Sequence, residues 1–193
     1  MIKGKRLTLV RKEVRMFDAK LVADLITAAR GTLGLVMIWL GLTQGERALP
    51  IVIPIMILCW SGDFFDGMLA RHSRHPRKSY IGDHDVQIDT FVSVCLGLYM
   101  LFAELVSVSI GVWYFIGWAV IFWRFGNDRN LLMLAQTPIY LYFILIGLRE
   151  YPISGYLMVI WVMLALAILW RRFSQDVVPN FLKGMKSLWT HKH

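Results

Sequence analysis

Six stretches of this chain run for fourteen to nineteen residues without an Asp, Glu, Lys or Arg: Gly31–Gly45, Ala48–Gly62, Thr90–Ala103, Leu105–Trp123, Asn130–Leu148 and Ile153–Trp170. A helix rises ~1.5 Å per residue and needs about 20 residues to cross the hydrocarbon of a bilayer. The last three stretches approach that length unaided. The first three reach it only by carrying ionisable residues with them: Arg30 in the first, Asp63 and Asp66 in the second, Asp89 in the third. The pattern predicts an all-α integral membrane protein with six transmembrane helices, over approximately 22–43, 48–72, 84–103, 106–124, 130–149 and 153–172. Composition agrees. Of the 193 residues 57% are hydrophobic and 18% charged, more apolar surface than one globular core of this length can hide.

Lys and Arg number 21 against 13 Asp and Glu, a formal net charge of +8. On a water-soluble domain that excess would point to nucleic acid. Here the basic residues flank apolar runs, which points to lipid head groups and topology, and no nucleic-acid partner is expected. An even number of spans puts both termini on one side. That side then holds every Lys and Arg except Arg47 and Arg149, a split of 19 to 2. Cytoplasmic loops carry the basic excess, so both termini are expected to be cytoplasmic, in a multi-pass protein of a prokaryotic cell membrane.

Residues 1–20 mix basic side chains with Leu7, Leu9, Val10, Val14, Met16 and Phe17, and read either as a basic amphipathic segment along the interface or as a mobile basic tail. They lack an uninterrupted apolar core, so no cleavable signal peptide is expected. Residues 21–172 form the six-helix domain and 173–193 a basic cytoplasmic tail. Cys59 and Cys95 lie inside apolar runs and are too few for a disulfide or zinc framework, which makes them packing residues.

The acids are distributed unevenly. Of nine aspartates, five fall between positions 63 and 89: Asp63, Asp66, Asp83, Asp85 and Asp89. Ionisable groups in or beside transmembrane helices are expensive to bury and mark functional sites. Asp63 and Asp66 are three apart on the second predicted helix, Asp85 and Asp89 four apart at the start of the third, and both spacings put a pair on one helical face. A loop after Arg71 returns the chain, so the four carboxylates can converge near the cytoplasmic interface. Four unneutralised carboxylates would repel one another or hold protons. Divalent cations resolve this, and oxygen donors suit Mg²⁺ or Mn²⁺. Salt bridging to Arg71, Arg74, Arg77 and Lys78 accounts for Asp83 but leaves two same-face pairs unexplained. His84, alone in a polar loop, is a weak ligand candidate.

The segment Asp63-Phe-Phe-Asp66-Gly67-Met-Leu-Ala70-Arg71, followed by Asp85-Val-Gln-Ile-Asp89, resembles the signature of the CDP-alcohol phosphatidyltransferase family, D-x2-D-G-x2-A-R, then about eight residues, then G-x3-D-x3-D. Every fixed residue of the first half matches, as does the Asp-x3-Asp spacing. Upstream, Asp24-Leu-Ile-Thr27-Ala-Ala-Arg30 is similar to the family's N-L-x-T-x-x-R, with Asp for Asn. Two departures stand in the second half: ten residues separate Arg71 from Gly82, and Gly82 precedes Asp85 by three positions where the family has four.

The resemblance implies a phospholipid-synthesising transferase that moves a phosphatidyl group from CDP-diacylglycerol, or a similar CDP-linked donor, to an alcohol hydroxyl with release of CMP. It implies that Asp63, Asp66 and Asp85 hold two divalent ions, and that Asp89 contacts one and acts as general base. Donor contacts fall to Asp24, Thr27, Asp63, Gly67, Ala70 and Arg71, whose guanidinium fork suits pyrophosphate oxygens. Arg124 and Arg129, in the other cytoplasmic loop, are candidates for a phosphate on the acceptor, a small alcohol or phosphorylated alcohol, although the positive-inside bias explains them equally. A homodimer among membrane lipids is also implied. The Asp63–Gly67 run looks most like members that make phosphatidylglycerol phosphate. Two other readings stay open: a transporter that uses the acidic cluster as a metal or solute site, and a non-catalytic relative of the family.

Overall fold

The computed structural model describes residues 25–72, 85–126 and 129–172, with single or paired positions at 174–175, 178–179 and 182; for 65–72, 85–86, 129 and 171–172 it describes the backbone alone. The amphipathic segment 1–20, Asp24, the loop 73–84 with Gly82 and His84, and most of the tail lie outside the described residues.

Six helices follow one another: α1 (25–44), α2 (Leu49–His72), α3 (Asp85–Phe102), α4 (Val108–Phe125), α5 (Arg129–Glu150) and α6 (Pro152–Arg172). No strand occurs among the described residues. Each boundary has a local cause. α1 stops at Gly45, whose φ of +59° lies in the left-handed region that glycine enters without a Cβ clash, and a 3₁₀ turn, Gly45–Ala48, leads into α2. α4 stops at Gly126 (φ +77°), whose N–H donates to the Phe122 carbonyl. Pro152 opens α6, where a first-turn residue needs no N–H partner.

The α3 end is less ordinary. Leu105 N–H donates to Met100 O (3.0 Å) and Glu104 N–H to Leu101 O (3.1 Å), the paired bonds of a Schellman cap, with Glu104 at φ +57° in the position glycine usually takes. This cap spends Ala103–Ser107 on the turn, so α4 starts at Val108, two residues later than the charge pattern predicts.

By length and apolarity, four stretches can cross a membrane: Leu25–Phe64, Val108–Phe125, Asn130–Glu150 and Pro152–Trp170; the apolar part of α3, Gln87–Phe102, is shorter. The first stretch is a hairpin. A Cβ at Gly62 would lie 2.9 Å from Arg30 Cδ and 3.2 Å from Ile26 Cγ2, whereas a straight helix would set Ile26 and Gly62 about 54 Å apart. α1 also runs alongside α3, Gly34 against Cys95 and Phe91, Gly41 against Tyr99 and Phe102. So α1 lies between α2 and α3, while α5 packs on both α3 and α6, and α6 on α2.

The core gathers where these helices meet, around Met37, Val52, Met56, Cys95, Leu96, Tyr99, Phe143 and Met158. Both cysteines are buried there as packing residues. The periphery is apolar as well. α4 buries only Gly111, and Trp113 and Trp123 are 72% and 87% exposed. On α6, Ile153, Tyr156, Ile160 and Ile168 face outward. An all-helical fold with this outer surface, together with the four long apolar stretches, is consistent with a membrane protein.

Candidate functional site

The deepest charge among the described residues is Arg30, one turn beyond Thr27 on α1 and only 4% exposed. A guanidinium removed from water needs anionic partners. Arg30 Nη2 donates to Asp89 Oδ1 on α3, and Nη1 lies 3.9 Å from Asp63 Oδ1 on α2. Because α1 sits between α2 and α3, its arginine reaches both carboxylates. Gly62 makes room for this: the Arg30 stem occupies the space a side chain there would fill. The two acids are unequally covered. Asp89 is three-quarters buried and Asp63 half exposed, so the triad is closed on the α3 side and open on the α2 side.

A cavity of about 70 Å³ adjoins the triad, lined by Arg30, Trp60, Asp63, Asp89, Gln136 and Tyr140, with apolar side chains behind them. α5 supplies its polar wall. Gln136 Nε2 donates to Thr90 Oγ1 at 2.8 Å, and the Tyr140 hydroxyl donates to the Asp89 main-chain carbonyl at 3.4 Å. These two bonds tie α5 to the turn of α3 that carries Asp89. Trp60 meets Tyr140 edge-on, centroids 5.7 Å apart, and stacks on Trp161 of α6 at 5.8 Å, which braces the wall from behind.

Of the residues singled out from the sequence, Asp63 and Asp89 come together at Arg30, and Thr27 is buried one turn before it on α1. Asp66, Gly67, Ala70 and Arg71 continue α2 toward His72, Asp66 one turn past Asp63; Asp85 opens α3 one turn before Asp89. Helix register therefore sets Asp66 and Asp85 further along the same ends of α2 and α3. Their side chains lie outside the described residues, as do Asp24 and the side chain of Arg129, which opens α5. Arg124 does not line the cavity; it is exposed at the end of α4, its guanidinium 5.5 Å over the Phe125 ring.

Among the described residues no three acidic, His or Cys side chains gather closely enough to hold an ion. Two carboxylates from different helices do converge on one cationic centre, and hard oxygen donors of this kind fit Mg²⁺ or Mn²⁺. Arg30, Trp60, Gln136 and Tyr140 join the site without being among the candidates that the sequence offers. Arg30 had a signal, an arginine at the edge of an apolar run and inside the Asp24–Arg30 motif. Gln136 had a fainter one, an amide within a run of apolar residues. Nothing local marks α5 as the neighbour of Asp89.

Comparison of the chain with protein-family models, with curated proteins and with solved structures gave no match.

Proposed function

We propose that the chain is a CDP-alcohol phosphatidyltransferase: a six-pass membrane enzyme that transfers a phosphatidyl group from a CDP-diacylglycerol-type donor to an alcohol hydroxyl and releases CMP. The observation that carries this reading is the meeting of Asp63 and Asp89, one from each half of the signature, beside a polar cavity. The two residues are 26 positions apart in sequence and sit on different helices. The signature requires its two halves to act on one substrate, and the fold supports that requirement.

Divalent ions, Mg²⁺ or Mn²⁺, would supply charge neutralisation at the pyrophosphate and at the attacking oxygen. Asp63, Asp66, Asp85 and Asp89 would hold them. Asp89, on the turn of α3 whose main chain Tyr140 ties to α5, would take the proton of the acceptor hydroxyl. Arg71, one end of the α2 motif, would face the donor phosphates, with Gly67 and Ala70 leaving space for the nucleotide and Asp24 and Thr27 closing the α1 side. The cavity is well below the ~300 Å³ at which pockets for ligands of this size begin, so the head group would extend past its mouth at Asp63. The acyl chains would stay against the apolar exterior. Arg124 and Arg129 would meet the acceptor at the helix ends. Both termini would lie in the cytoplasm, the orientation that the charge split supports; a prokaryotic cell membrane and a homodimer belong to the proposal through the resemblance alone.

The test is incubation of the purified full-length protein with CDP-diacylglycerol, Mn²⁺ and a panel of alcohols and phosphorylated alcohols. CMP release and lipid products are followed by chromatography and mass spectrometry. Metal-dependent CMP release with one acceptor is expected. A folded protein that releases none with any acceptor would remove the enzymatic reading and leave the transporter or the non-catalytic relative.

A further inference from the structure

Arg30 stands where the proposed function needs a divalent ion to act. Its guanidinium is in contact with Asp89 Oδ1 and reaches toward Asp63 Oδ1, the carboxylates through which α2 and α3 would share that ion. An ion held at ~2.1 Å from an aspartate oxygen would lie within a few ångströms of the guanidinium. Burial leaves little water to screen the two positive charges from each other. Both cannot keep the same oxygens.

We propose that Arg30 is the resident counter-cation of this site, and that a divalent ion and the Arg30 guanidinium compete for Asp63 and Asp89. The proposal rests on the metal-binding reading above and adds a residue outside the carboxylate set. Arg30, set between α2 and α3, faces the carboxylates of both helices with its positive charge. With a divalent ion bound, the guanidinium would give up the Asp89 oxygen and turn into the adjoining cavity. That wall is suited to receive it: the Gln136 side-chain carbonyl and the Tyr140 hydroxyl are acceptors, and the Trp60 ring offers a π face.

The prediction has an unusual sign. Loss of a merely structural arginine weakens binding at the site it supports; loss of a competitor tightens it. Mn²⁺ alone is the probe, titrated into the full-length protein in nanodiscs and read by electron paramagnetic resonance of the free ion. Arg30→Gln, which removes the charge, is expected to lower the apparent Mn²⁺ dissociation constant on the order of tenfold or more, the size of a charge-assisted hydrogen bond. Arg30→Lys keeps a cation without the fork that spans two carboxylates and should fall between. It also reads the effect if Arg30→Gln does not fold. Asp63→Asn should weaken binding in every background. Equal or weaker Mn²⁺ binding by a folded Arg30→Gln or Arg30→Lys protein would overturn the competition while leaving the metal site standing. No Mn²⁺ binding by any of them, wild type included, would overturn the metal site and the competition together.

Discussion

Neutralising Asp89 should cost far more stability than neutralising Asp63, although both are aspartates facing the same arginine. The difference lies in burial and distance. Asp89 is in direct contact with a guanidinium whose side chain is only 5% exposed, and is itself 24% exposed. Removing one partner of a buried pair leaves an uncompensated charge and costs about 3–5 kcal/mol. Asp63 remains 3.9 Å away in the Asp89→Asn protein and offsets part of that, so about 3 kcal/mol is expected. Asp63 is 49% exposed and at the edge of ion-pair distance, so solvent screens it, and Asp63→Asn should cost about 1 kcal/mol or less. Replacing both charges, as Arg30→Met with Asp89→Leu, removes the stranded guanidinium and should recover most of the Asp89→Asn loss. The assay is reversible unfolding in mixed micelles with divalent ions chelated. Equal losses for Asp63→Asn and Asp89→Asn, or no recovery in the double variant, would refute the assignment of Arg30 and Asp89 as the principal pair.

Under the proposed function, Asp89→Asn should also lower turnover about 10²- to 10⁴-fold, the usual contribution of a general base, with a much smaller change in donor affinity; equal loss of both would recast Asp89 as chiefly a metal ligand. Cysteine labelling from outside intact cells should modify a probe placed near Arg47 and miss one near Ser73, and the reverse pattern would remove the proposed topology. Gly155→Val should loosen the α5–α6 crossing, because even a Cβ there would lie 2.5 Å from the Leu148 backbone; a loss of about 1–3 kcal/mol in the same unfolding assay is expected. Glu104→Gly should stabilise the protein by about 0.5–1 kcal/mol, since a glycine tolerates the left-handed backbone that Glu104 is held in. A neutral or destabilising result there would show that the Glu104 side chain contributes something the cap geometry does not.

The elements of this protein were legible along the chain because their causes are local. Charge-free runs set the helix lengths, and α2 to α6 begin and end within two residues of the expected bounds. Helical period alone put Asp63 with Asp66 and Asp85 with Asp89 on shared faces. Where α4 begins was less legible. The start of α4 depends on a cap in which Glu104, not glycine, takes the left-handed position, and nothing in its side chain announces that.

The assembly of the site was decided by packing. Six helices with similar apolar surfaces carry little information on which neighbours which, because apolar contact is non-directional and many pairings bury comparable area. Only the tertiary structure inserts α1 between α2 and α3, and only that insertion turns Arg30 from a basic residue at the edge of a run into the shared partner of Asp63 and Asp89. The same holds for Gln136 and Tyr140, which belong to the site because α5 lies against α3. Spacing along one helix can align two carboxylates on a face. Bringing a third helix's arginine to them, and a fourth helix's amide and phenol, depends on long-range packing that no local pattern encodes.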